Sequence, residues 1–155
     1  MKALVVYDSV FGNTEKVAQA IAAALQTTAV PVVQAALDQL EGLDLLIVGS
    51  PTRGFRPTEG VAQWLNALSN NHLTGVGVAA FDTRIDLATI DSSVFRFIVN
   101  KGGYAANTIA KTLEKKGGRL RASPEGFLVT GEQGPLKDGE LERAAAWGAQ
   151  TVLHE

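Results

Sequence analysis

Short, almost continuous apolar runs alternate with helix-periodic stripes along this chain, and that alternation restricts the fold more than any other feature. The runs lie at Ala3–Tyr7, Val30–Ala35, Leu43–Val48, Val76–Phe81 and Phe127–Thr130. They lack the in/out polarity of a sheet that is wet on one face, so each reads as a strand covered on both faces. Between them Val17, Ala20, Ile21, Ala24 and Leu25 recur at helical spacing. Val61, Trp64, Leu65 and Leu68 repeat the scheme, as do Ala106, Ile109, Ala110 and Leu113. Leu141, Ala145, Gly148, Ala149 and Val152 form a last stripe. Gly117–Gly118 follows the third helix, where a left-handed C-terminal residue is wanted. "LDQLEG", between the second and third strands, has room for a turn or two of helix at most. The pattern predicts an α/β fold: a doubly wound, five-stranded parallel sheet with helices on both faces.

Composition narrows the function classes. At 155 residues the chain suits a single domain, 1–155, long enough to bury a core. Fourteen basic against sixteen acidic residues give a net charge of −2, so no nucleic-acid partner is expected. The absence of cysteine excludes a disulfide scaffold, a thiolate metal site and a cysteine nucleophile. No apolar stretch approaches the roughly 20 residues that span a bilayer, and the first run is too short for a signal peptide. A cytoplasmic protein with no membrane partner is the expectation.

The first strand leaves through "DSVFGNT", directly ahead of the helix "EKVAQAIAAAL". In doubly wound sheets ligands sit at the carboxyl ends of strands. A helix N-terminus there offers free N–H groups and the positive end of a dipole to an anion. Ser9, Asn13 and Thr14 add polar side chains, and Gly12 lets the backbone curl. The turn holds no lysine or arginine, so a phosphate would be held by neutral donors. Neither G-x-G-x-x-G nor G-x-x-x-x-G-K-[ST] occurs. Taken alone, the turn is equally consistent with a helix capped by Asn13 or Thr14.

"SVFGNT" after an N-terminal strand resembles the phosphate loop of flavodoxins, [ST]-x-[TF]-G-N-T, which wraps the 5′-phosphate of FMN. The resemblance implies strand order 2-1-3-4-5, with the first and last helices on one face and the others opposite. It also implies an FMN-binding electron carrier with a redox partner protein or reductase. Ser9, Val10, Phe11, Gly12, Asn13 and Thr14 would form the phosphate loop. "SPTRGF" after the third strand matches the loop along the flavin ring, with Pro51, Thr52, Arg53, Gly54 and Phe55. In the family a peptide at a glycine here flips on reduction, and Arg53–Gly54 corresponds to it. "FDTRI" matches the third loop, with Asp82, Thr83 and Arg84, and Asp82 falls where the family places an acid near the pyrimidine edge.

The chain departs from the family at the ring. The two positions that usually carry stacking aromatics fall on Arg53 and Ile85, which implies weaker flavin binding. Arg53, Arg56 and Arg84 in the ring-facing loops imply a less negative reduction potential. Two alternatives to the carrier follow: an FMN-dependent quinone or NAD(P)H oxidoreductase, and a docking module of flavodoxin fold that binds flavin weakly or not at all. A receiver-type phosphoacceptor is excluded, because the third strand ends "IVGS" without an aspartate. His72, expected at the amino ends of the strands, and the penultimate His154 are set aside as catalytic groups. Asp8 reads as a solvated or capping side chain, and Trp64 and Trp147 as core. "RIDLATIDSSVFRFIVNKGG", 84–103, reads as a loop running into the third helix, with its phenylalanines in the core. The oligomeric state stays open.

Overall fold

The computed structural model describes residues 1–86 and 104–153. Strand β1 (Ala3–Tyr7) leads into helix α1 (Asn13–Ala24), and β2 (Ala29–Pro31) into two 3₁₀ turns, Val32–Gln34 and Leu37–Leu40. Then come β3 (Leu45–Pro51), α2 (Glu59–Asn66), β4 (Gly77–Ile85) and α3 (Ala105–Lys115). The chain finishes with β5 (Arg119–Leu120), β6 (Glu125–Val129) and α4 (Glu140–Leu153). Every strand pairing is parallel, in the spatial order β2-β1-β3-β4. The outer edge of β4 is shared: β5 pairs with Gly77 and Val78, and β6 with Phe81 to Ile85. The expected 2-1-3-4-5 order is therefore present, with the fifth position filled by two short strands. Pro124, which has no N–H to donate, stands at the break between them.

Several strand limits differ from the sequence reading. The second strand is only three residues long, because Pro31 cannot continue a ladder and the chain turns into a 3₁₀ segment. The third runs on to Pro51, so Gly49 and Ser50 lie in the sheet rather than in the following loop. Gly49 is required there by packing: a Cβ on it would stand 2.0 Å from the Phe81 ring. The fourth strand extends to Ile85: Asp82 and Thr83 lie between β3 and β6, and Arg84 and Ile85 pair with β6. Polar residues hide this extension from an apolar-run reading, but two flanking strands satisfy its backbone. Most of the uncertain 84–103 segment lies outside the described residues, as does His154.

Two cores separate across the sheet. Helices α1 and α4 pack on one face against Val5, Ile47, Ala79 and Phe81, while α2 and α3 cover Val6, Leu46, Val48 and Val78 on the other. This is the helix arrangement that right-handed crossovers dictate. Phe81, Phe127 and Trp147 meet edge to face with centroids 6.1–6.2 Å apart. Trp64 lies in the other core and donates its Nε1–H to the Ala35 carbonyl at 2.9 Å. Both tryptophans are thus core residues. The last helix departs from its expected stripe: Leu141 and Ala149 are exposed, while the polar Glu140 and Thr151 are buried. Glu140 Oε2 accepts the Leu128 N–H at 2.6 Å, and Arg143 donates to both carboxylate oxygens at 2.8–2.9 Å. A fixed backbone donor plus an ion pair outweighs one leucine's burial.

Candidate functional site

The turn after β1 is tied down at both ends. Asp8 N–H donates to the Gly49 carbonyl at 3.1 Å, joining the turn to β3. The Asp8 carboxylate accepts the Ser9 N–H at 2.9 Å and the Thr58 hydroxyl at 2.6 Å. Thr58 in turn caps α2, its Oγ1 accepting the Val61 N–H at 3.3 Å. Asp8, half-buried, is therefore not a helix cap; it braces the first turn against α2. Ser9 Oγ accepts N–H bonds from Gly12 at 3.1 Å and Glu15 at 3.3 Å. Gly12 sits at φ 93°, a left-handed conformation that glycine adopts without penalty. The amides of Asn13 and Thr14 have no protein acceptor among the described residues. They stand at the positive end of the α1 dipole, so the cradle suits an anion.

This turn forms one wall of a cleft of about 380 Å³ at the carboxyl ends of β1, β3 and β4. Of the residues singled out from sequence, Val10, Phe11, Asn13 and Thr14 line it from the first loop. Pro51, Thr52, Arg53 and Gly54 line it from the second, and Thr83 and Arg84 from β4. Ser9, Gly12, Phe55 and Asp82 do not line it. The Thr14 and Thr83 hydroxyls bond across the buried floor at 2.8 Å. Ile85, the outer ring position, lines the cleft as well. So do Val129 and Glu132, which the sequence reading missed. They belong to the end of β6 and the following "TGEQGP" turn, whose Gln133 carbonyl accepts the Asn13 Nδ2–H at 3.1 Å. The rule that ligands gather at strand carboxyl ends, extended to the last strand, points to that turn.

The second loop is a two-residue reversal. Arg53 and Arg56 exchange both backbone hydrogen bonds, at 2.8 and 3.1 Å, around Gly54 and Phe55. These two residues take φ values of 55° and 67°, as a primed hairpin turn requires. Phe55 holds a left-handed conformation that a bulky residue rarely adopts. Arg53 sits over the Phe11 ring at 5.9 Å and so bridges the first and second loops.

Asp82 and Arg84 behave differently from the sequence expectation. The Asp82 side chain is fully buried, and Arg84 donates to both of its oxygens at 2.7 and 2.8 Å. Asp82 Oδ2 also accepts the Ala106 N–H at 2.9 Å, in the first turn of α3. Burial pushes the Asp82 carboxyl above the ordinary carboxylate range, while Arg84, the Ala106 N–H and Thr52 pull it back. Arg84 further stacks on Tyr104 at 3.6 Å. A Cβ on Gly126 would stand 2.0 Å from Arg84 Nε, so that glycine makes room for the guanidinium. Asp82 is thus an internal anchor, and Arg84, expected in a ring-facing loop, is paired with it in β4. A paired acid two residues away in one strand cannot be told from a solvated one by sequence.

The flavodoxin family model matches residues 5–147. No curated protein matches the chain by sequence. Among solved structures the fold is similar to flavodoxin 1 from Bacillus cereus, with TM-score 0.77 and 21% identity over 100% of this chain and 99% of that one. It is also similar to a flavodoxin from the domain Archaea, with TM-score 0.75 and 21% identity over 99% and 97%. In rubredoxin oxygen:oxidoreductase from Desulfovibrio gigas, 97% of this chain matches 35% of the larger protein, with TM-score 0.73 and 19% identity. These identities carry the fold alone, but the family model spans all three loops, and on that ground the chain belongs to the flavodoxin family.

Proposed function

We propose that the protein binds FMN non-covalently in this cleft and passes electrons to a protein partner. The observation that carries the reading is the pair of N–H groups at Asn13 and Thr14, without an acceptor among the described residues and placed at a helix N-terminus in the wall of a cleft formed by three strand ends. A neutral donor set of this kind fits a phosphate. The two threonine hydroxyls add to it: one hydrogen is used in the Thr14–Thr83 bond and the other is left to donate. Bound FMN would supply one- and two-electron redox chemistry, which no side chain here provides.

The protein's part is to bind, orient and shield. Asn13 and Thr14 would hold the phosphate, Pro51, Thr52 and Gly54 would border one face of the ring, and Ile85 the other. Phe11 is the one aromatic side chain lining the cleft among the described residues. Shape and apolar contact thus replace the stacking pairs usual in the family. The decisive experiment is reconstitution with FMN, gel filtration and a visible spectrum. A flavin absorbance that co-elutes with the protein is expected. A colourless protein after saturating FMN would overturn this reading. Turnover of a quinone with NAD(P)H, without added reductase, would replace the carrier with an oxidoreductase.

A further inference from the structure

We infer that the mouth of the cleft is a docking surface for an acidic partner, one whose contact face carries carboxylates around an exposed redox centre. This rests on the electron-carrier reading for its purpose, though not for its geometry. Val10, Phe11 and Ile85 are 48%, 43% and 37% exposed, and all three line the cleft. Grouped large apolar side chains in solvent mark an interaction surface more often than chance exposure does. Arg53 lies over Phe11 and lines the cleft beside them, and Arg56 is its partner across the hairpin. As directly opposed residues of a two-residue hairpin they project to the same side.

Neither arginine makes an ion pair among the described residues. Among the described residues nearby, Arg84 is committed to Asp82 and Lys137 to Asp86. Glu132 is the one carboxylate lining the cleft among the described residues. Like charges placed directly opposite each other destabilise a hairpin, and Phe55 between them adds left-handed strain. A tip that carries two such local penalties with no ion pair among the described residues is better suited to an external anion than to the fold. The patch also opposes the overall charge of −2, so it would steer a partner by its local field rather than by net charge.

Native cytochrome c, which is basic, and its fully succinylated, acidic form serve as a matched pair of probes. At low salt the succinylated form should shift the amide NMR signals of Phe11, Gly54 and Ile85 in the flavin-free protein, and the native form should not. Arg53→Glu/Arg56→Glu should abolish the shifts, and Arg53→Gln/Arg56→Gln should reduce them. With FMN bound, electron transfer to the succinylated form should slow roughly tenfold in the charge-reversed variant, and the difference should fade at high salt. Preference of the wild type for the basic probe would overturn the proposal. So would shifts confined to another face, or an unchanged preference after charge reversal. Failure to load FMN removes the rate measurement and sinks the carrier reading alone, because the shift mapping needs no flavin.

Discussion

The Arg84 guanidinium closes on the Asp82 carboxylate through two hydrogen bonds, 2.7 and 2.8 Å long, inside the sheet where the acid is fully buried and the base 21% exposed. Both residues belong to β4, and the pair ties that strand to the first turn of α3 through Asp82. Removing one partner leaves a buried charge uncompensated. Arg84→Ala is therefore expected to lower unfolding free energy by about 3 kcal/mol. Asp82→Asn/Arg84→Gln should recover much of that loss. Urea unfolding of the two variants checks it, and a single-mutant loss below about 1 kcal/mol would mean the pair is worth no more than a surface bridge.

Thr14 tests the anion cradle. Its hydroxyl is buried and bonded to Thr83, so Thr14→Val keeps the shape and removes one donor of the pair. A lost hydrogen bond to a charged acceptor is worth roughly 1.5–3 kcal/mol, about a tenfold to hundredfold fall in FMN affinity. Riboflavin, which has no phosphate, should bind wild type and variant alike. Fluorescence titration with both ligands separates loss of the cradle from general damage to the cleft.

With FMN bound, Arg53 is expected to shift the reduction potential more than Arg84. Arg84's charge is matched by Asp82, whereas Arg53 lines the cleft with no ion pair among the described residues. Arg53→Gln should make the potential more negative by on the order of tens of millivolts, limited by solvent and salt screening. Potentiometric titration at low and high ionic strength measures this. An unchanged potential in both would show that the guanidinium stays on Phe11, directed away from the ring.

Acid sensitivity should trace to Glu140. Hydrogen bonds from Arg143 are the largest cause of its lowered pKa, with the Leu128 N–H assisting against burial. A carboxylate held below its ordinary 4.5 contributes stability that is complete above that value and is lost as pH falls through the folded pKa. Glu140→Gln should be less stable than wild type at pH 7, and the gap should narrow below pH ~4. Urea midpoints across that range provide the check.

The sequence by itself determined the architecture. Its strands are buried on both faces and its helices on one, and those two environments impose different apolar periods that can be read without coordinates. The phosphate-loop motif was legible for a similar reason: a glycine at φ 93° followed by a helix start is a local arrangement, specified by adjacent residues. Pro31 was legible in principle too, since its missing donor ends β2 wherever the rest of the chain goes.

What only the tertiary structure decided were relationships between residues far apart in the chain or alike in type. Gly49 looked like a turn glycine, yet the Phe81 ring from the next strand occupies the space its side chain would need. Asp82 looked like a loop residue facing a ligand, yet β6 on one side and α3 on the other draw it into the interior, and Arg84, which does line the cleft, turns its guanidinium onto it. Glu140 and Leu141 exchanged their expected places because the Leu128 N–H in β6 supplies a donor that no helical periodicity encodes. Glu132 lines the cleft from a turn that Asn13 holds at Gln133, across 120 positions of sequence. Burial of a polar group depends on a partner delivered by another element, and the packing of those elements decides which partner arrives.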